Sequence, residues 1–137
     1  MDNYLQWLGG LFDDEGSVSI AYTKNGNKYR RIFKLMSTLS QKDRGPLDEL
    51  EDLFGGQIVP KDNGCYQWVI QSKAAANFLR IILPYVVLKR RIVEIALLYR
   101  ALVETGATKL VPASRRKAAA TICMQLRNEV MRLNALT

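Results

Sequence analysis

The chain is predicted to be an α+β protein with a four-stranded antiparallel sheet, and three observations carry that prediction. Apolar residues at helical spacing open the chain and fill its last third, the pattern of amphipathic helices. Two pairs of segments alternate apolar with polar residues, the period of half-buried strands. Each pair brackets a turn signal, Asn25-Gly26-Asn27 in the first and Asp62-Asn63-Gly64 in the second, as hairpins require. The order is helix, hairpin, helix, hairpin, then helices, which reads as one α+β domain over residues 1–137.

Each element has its own signal. The first helix is expected from about Asn3 to Asp14, ended by a left-handed turn at Gly16. In Ser17-Val18-Ser19-Ile20-Ala21-Tyr22-Thr23 small polar residues alternate with Val18, Ile20 and Tyr22, so a strand follows. Its partner runs to about Leu39, with Tyr29, Phe33, Leu35 and Leu39 on one face. Arg30, Ile32, Lys34, Met36 and Thr38 lie on the other. Pro46 suits the first turn of a short helix, which reaches Phe54, has an acidic face at Asp48, Glu49, Glu51 and Asp52, and stops at Gly55-Gly56. Gln57–Lys61 and Cys65–Gln71 form the second hairpin, with Tyr66, Trp68 and Ile70 toward the core. Ser72 is expected to cap a helix ending before Pro84. A long helix follows from about Val87 to Glu104, then a basic connection and a last helix from about Ser114 to Asn134. There is no internal repeat.

Composition bounds the chemistry. The 137 residues are 48% hydrophobic and 24% charged, as in a soluble globular domain. Lysine and arginine number 20 against 13 acids, a net charge of +7, which favours a polyanionic partner, nucleic acid before a membrane surface. No window approaches a membrane span, and no basic start with an apolar run suggests a signal peptide. An intracellular setting, cytoplasmic or organellar, is expected. There is no histidine, so every mechanism that needs a histidine base, nucleophile partner or ligand is excluded. Cys65 and Cys123 are too few for a four-ligand zinc site and are expected to be free thiols. Any catalysis must come from carboxylates, lysines, hydroxyls or a bound metal.

One segment breaks local rules. Trp7-Leu8-Gly9-Gly10-Leu11-Phe12-Asp13-Asp14-Glu15-Gly16 places two glycines inside a helix, each costing roughly 1 kcal/mol relative to alanine. It then sets three carboxylates against the negative end of the helix dipole. Such conflicts gather at functional sites. Carboxylate and carbonyl oxygens together suit Mg²⁺ or Ca²⁺, although a solvated acidic turn would read the same way. The glycines allow a backbone to approach closely, either a second copy of the helix across a two-fold axis or the chain's own sheet.

Leu8 to Gly16 resembles the LAGLIDADG motif of homing endonucleases, identical at Leu8, Gly10, Leu11, Asp13 and Gly16, with small Gly9 at the alanine position and Glu15 at the final acid. Ser40-Gln41-Lys42 and Pro84-Tyr85 with Leu88-Lys89-Arg90 resemble further features of the family, as does the order of elements. The resemblance implies a saddle-shaped four-stranded sheet and a single-motif chain that pairs as a homodimer through Leu8, Gly9, Gly10, Phe12 and Asp13. It implies metal binding at Glu15 and at the Asp14 carbonyl, with Mg²⁺ as cofactor and Mn²⁺ or Ca²⁺ able to take its place. Gln41 would position water, Lys89 would act electrostatically near the scissile phosphate, and Asp13 would be structural. The implied activity is site-specific cleavage of double-stranded DNA at a long, pseudo-palindromic site, without membrane or small-molecule cofactor. The alternative is a cleavage-dead relative acting as an RNA-splicing maturase or a DNA-binding regulator.

The strands supply a recognition face. Five basic residues and no acid lie between Lys24 and Lys34. Alternation sends Ser17, Ser19, Ala21 and Thr23 to the side of Arg30, Ile32, Lys34 and Thr38, with Lys24 and Lys28 at the turn. Gln57, Lys61, Gln67 and Gln71 can extend the face through the second hairpin. A strand ribbon with polar side chains fits the DNA major groove. Arg115, Arg116 and Lys117 either touch phosphates or simply solvate the start of the last helix.

Overall fold

The structure, a computed structural model, describes residues 2–24, 31–104 and 113–136; the side chains of residues 2, 23, 24, 31, 32, 104 and 113–120 are not described. The order is α1 (Asp2–Glu15), β1 (Gly16–Lys24), β2 (Arg31–Gln41), α2 (Gly45–Phe54), β3 (Gln57–Pro60), β4 (Tyr66–Gln71), α3 (Ser72–Ile82), a 3₁₀ turn (Leu83–Tyr85), α4 (Arg90–Glu104) and α5 (Ala113–Leu136). This is the α+β architecture expected, with four antiparallel strands in one sheet of order β1-β2-β4-β3. The expected turn at Asn25-Gly26-Asn27, and Tyr29, lie outside the described residues.

One sheet face is the core wall. Val18, Ile20, Leu35, Leu39, Trp68 and Ile70 are buried there against Leu8 and Phe12 of α1 and the apolar sides of α2, α3 and α4. Phe78 is the hub, with Trp68, Phe54 and Phe12 rings at 4.8, 5.1 and 5.7 Å in edge-on geometry. Edge-on pairs of this kind each contribute about 0.5–1.5 kcal/mol beyond their burial. The Trp68 indole N–H donates to the Gly55 carbonyl at 2.8 Å, which satisfies the buried ring nitrogen and ties the end of α2 to β4. Gly56 has to lack a side chain because a Cβ would stand 2.6 Å from the Val69 carbonyl oxygen.

Two helix ends differ from expectation. Gly16 is not a left-handed cap: positive φ among the described glycines is confined to Gly55, Gly56 and Gly64, and β1 begins at Gly16 itself. The requirement there is steric, since a Cβ at Gly16 would collide with the Phe12 ring. Ser72 does not cap α3 with its hydroxyl. It adopts φ 57°, and the preceding Gln71 makes no side-chain cap bond either. Both Cys65 and Cys123 are free thiols. Among the described residues no helix is long and apolar enough to cross a membrane.

At the far edge of the sheet α5 packs along β1 and α4, burying Cys123 and Val130. Its Asn134 amide donates to the Val18 carbonyl at 2.9 Å, and the Arg127 guanidinium lies 5.9 Å over the Tyr22 ring. A hydroxyl sits on the core wall at Ser37. It is fully buried and donates to the Ser17 carbonyl at 3.0 Å, so the polar group is not orphaned.

Candidate active site

The acidic end of α1 has no basic residue in its last turn, which the dipole argument makes costly. The positive charge comes from across the fold. The Lys89 ammonium donates to the Asp13 carbonyl at 2.7 Å and the residue is only 8% exposed. The Asp13 carboxylate in turn accepts the backbone N–H groups of Val87 at 2.8 Å and Lys89 at 3.0 Å. Those donors stand just ahead of α4, where N–H groups lack partners within their own helix. Asp13 and Lys89 therefore lock the end of α1 to the start of α4. The long helix begins at Arg90 rather than Val87, because residues 87–89 are held by this clasp.

With Asp13 engaged, the carboxylates of Asp14 and Glu15 remain, both residues exposed and neither side chain in a hydrogen bond or ion pair among the described residues. No three acids or cysteines converge as a metal cluster among the described residues. Glu15 instead opens onto a groove of about 460 Å³ that it lines with Ser40, Gln41, Lys42, Lys61, Asn63 and Cys65. Local chemistry brings these residues together. β2 ends at Gln41, whose amide nitrogen donates to the Ser40 carbonyl at 2.8 Å, leaving the amide oxygen to accept from water. The second hairpin closes through Lys61 N–H to the Cys65 carbonyl at 2.8 Å and Cys65 N–H to Asn63 Oδ1 at 3.2 Å. Gly64 takes φ 80°, as a tight turn of this kind needs.

The expected site residues thus divide. Glu15 and Gln41 meet in one groove, while Lys89 is not among its lining residues. The cations there are Lys42 and Lys61. Sequence reasoning missed Lys42 as a lining residue, although it adjoins Gln41 in the quoted Ser-Gln-Lys run, and nothing in the sequence marked Asn63 or Cys65.

The opposite sheet face is open. Ser17, Lys34, Gln57 and Gln71 are exposed on it, and Ser19, Ala21, Thr38 and Gln67 are half-buried. The Ser17 and Thr38 hydroxyls meet across the strands at 2.8 Å. Thr23, Lys24 and Ile32 lie on described strands but their side chains are not described, and Lys28 and Arg30 fall outside the described residues.

The motif helix splits by face. Leu8 and Phe12 are fully buried in the chain's own core, and a Cβ at Gly9 would collide with the Tyr85 carbonyl and side chain. Within the single chain these three are covered by its own core and by Tyr85. Gly10 has open space around it, beside Trp7 at 46% exposure. Next to the clasp, Val87 and Leu88 are 72% and 70% exposed.

Solved structures share this fold. The homing endonuclease I-CvuI in complex with the I-CreI target matches with a TM-score of 0.81 at 16% identity, over 96% of this chain and 82% of that one. The archaeal intron-encoded homing endonuclease I-Vdi141I complexed with DNA matches at 0.73 and 17% identity, over 96% and 94%. The I-SmaMI LAGLIDADG homing endonuclease bound to cleaved DNA matches at 0.75 and 19% identity, over 89% of this chain but 42% of that one. None of the curated proteins compared with the chain matches it. Residues 8–100 match the sequence model of the LAGLIDADG endonucleases, a stretch that runs from the motif helix through the sheet into α4. The chain belongs to the LAGLIDADG endonuclease family.

Proposed function

We propose that the protein is a homodimeric, metal-dependent endonuclease that cuts double-stranded DNA at a long, pseudo-palindromic site. The observation that carries this reading is the groove in which Glu15 and Gln41 stand beside Lys42 and Lys61, in a family of endonucleases. The free carboxylate of Glu15 and the adjacent oxygens of Asp14 are hard donors of the kind Mg²⁺, Mn²⁺ and Ca²⁺ take, and related structures were solved with Mg or Ca present. When bound, a divalent cation neutralises phosphate oxygens and makes its water a better nucleophile.

The chain's own residues do the rest. Glu15 supplies the anionic ligand, and the Gln41 amide oxygen accepts from and orients a water at the groove. Lys42 and Lys61 hold phosphate oxygens and stabilise the charge that grows on them. Lys89 works at one remove: its ammonium offsets the negative end of α1, so that the acids can be held there. The open sheet face, from Ser17 and Ser19 across Lys34 and Thr38 to Gln57 and Gln67, lies in the major groove.

A homodimer is supported by the apolar surface around the acidic tip. Trp7, Val87 and Leu88 are exposed beside Gly10 and the clasp. A two-fold contact on this face sets two Glu15 carboxylates side by side, one for each strand of the duplex.

The test is cleavage of a randomised duplex library with and without Mg²⁺, by the native chain and by Glu15→Gln. The native chain should give cut products only with the metal, and the variant should bind the same duplexes without cutting them. Undiminished cleavage by Glu15→Gln would overturn the metal-ligand role. Binding without any cleavage by the native chain would overturn the nuclease reading in favour of a DNA-binding regulator.

A further inference from the structure

Four apolar residues on the open face of the sheet form one diagonal. The face takes alternate residues of each strand, and the register aligns them in rows: Ala21 with Lys34; Ser19 with Met36 and Gln71; Ser17 with Thr38, Val69 and Gln57; Ser40 with Gln67 and Val59. From Ala21 on β1 to Met36 on β2, Val69 on β4 and Val59 on β3, each step moves one strand across and one row along. Apart from Ile32, which pairs with Thr23 one row beyond Ala21 and whose side chain is not described, every other described position on the face is polar or charged. Toward the Glu15 end lie Ser17, Ser19, Thr38, Ser40 and Gln67, and on the far side Lys34, Gln71 and Gln57.

The diagonal is accessible. Val59 is 39% exposed, and Ala21, Met36 and Val69 are half-buried among their neighbours. Strands satisfy their backbone bonds without these side chains, and the core lies on the other face, so folding alone does not call for an apolar line here. Diagonal neighbours on a sheet stand about 7–8 Å apart. The line is therefore roughly 20–25 Å long, about six or seven base pairs at a rise of about 3.4 Å.

We infer that this diagonal reads the 5-methyl groups of thymines in the major groove, so that each half-site carries thymine along the line. Thymine is the base that presents an apolar group in that groove, and alanine, valine and methionine side chains offer it contact without a hydrogen bond. The polar rows on either side suit the donors and acceptors of neighbouring bases, and Lys34, Lys42 and Lys61 suit the flanking phosphates. The inference rests on the DNA-cleaving reading and names what that site prefers.

The experiment starts from duplexes enriched out of a randomised pool by binding to the native chain without Mg²⁺. The enriched pool is copied once with thymidine and once with deoxyuridine triphosphate, which removes only the methyl groups. Affinity for the uracil copy should be lower by about four-fold for each methyl in contact, the value of one buried carbon. Val69→Asn, which replaces both methyls with a polar amide of similar size, should bring the two affinities closer, as should Met36→Gln. Equal affinity of the native chain for both copies would overturn the inference while leaving the nuclease reading intact. An undiminished difference in both variants would overturn the assignment to this diagonal. A pool from which nothing is enriched would overturn the nuclease reading itself.

Discussion

Gly9 and Gly10 are chemically identical neighbours with opposite surroundings, and each should answer to alanine differently. At Gly9 the new methyl would meet the Tyr85 backbone, which cannot yield without moving the turn before α4. Forced overpacking of this kind costs about 1–3 kcal/mol, so Gly9→Ala should lower the unfolding midpoint. At Gly10 nothing stands within 4 Å, and alanine is the better helix former by roughly 1 kcal/mol. Gly10→Ala should leave the free chain as stable or more so, and any penalty should show only as weaker self-association in ultracentrifugation. Similar losses of stability in both variants would refute this division. The sequence showed that small residues matter at this spot but not which neighbour each one serves. Periodicity gives a helix its faces, whereas the partner at Gly9 is a residue 76 positions away.

At the scale of elements, Asp13 joins α1 to α4 more directly than any run of packed side chains. Its carboxylate takes two N–H groups and its carbonyl takes the Lys89 ammonium. Losing a cap of this type costs about 0.5–2 kcal/mol. Asp13→Ala should therefore lower the denaturant midpoint and speed hydrogen exchange at the first amides of α4. Asp14→Ala, one position on and exposed, should do neither. Equal effects of the two substitutions would show that the clasp carries no stability. The alternating strands and the hairpin at Asn63-Gly64 were legible because their signals are local. The clasp was not, since its partners lie more than 70 residues apart, and neither was the left-handed start of α3 at Ser72, where the residue type reads as an ordinary cap. The groove was half legible for the same reason. Glu15 and Gln41 belong to a recognisable pattern, but Asn63 and Cys65 enter it only through the closure of a turn. The diagonal on the open face needs three strand registers at once, and the sequence states none of them.

For the whole molecule, the tyrosines set how stability fails in alkali. Burial pushes the Tyr99 phenol up to about 12, with the nearby Cys123 adding to the rise and Arg100 opposing it. Burial, with Glu49 beside it, raises Tyr4 to about 12 as well. An unfolded tyrosine gives up its proton near pH 10. Between about 10 and 12 the unfolded chain therefore binds fewer protons than the native one, and stability falls as pH rises. Below pH 10 this contribution is fully present. Chemical unfolding should show that loss across the window, and Tyr99→Phe, which keeps the ring and removes the proton, should make it smaller. A variant whose alkaline profile matched the native one would show that Tyr99 does not drive it.

The junction between α1 and β1 has no loop. Glu15 ends the helix, Gly16 begins the strand, and Gly16 is already paired with Leu39. The position of the acid relative to the sheet is thus set by a single peptide bond with ordered backbone on both sides. Under the proposed function this junction would work as a ruler: the point of cleavage could not drift relative to the bases read, and the stagger between two cuts would be a constant of the fold. One residue inserted after Glu15 would change that stagger, or end cutting, before it touched the bases recognised.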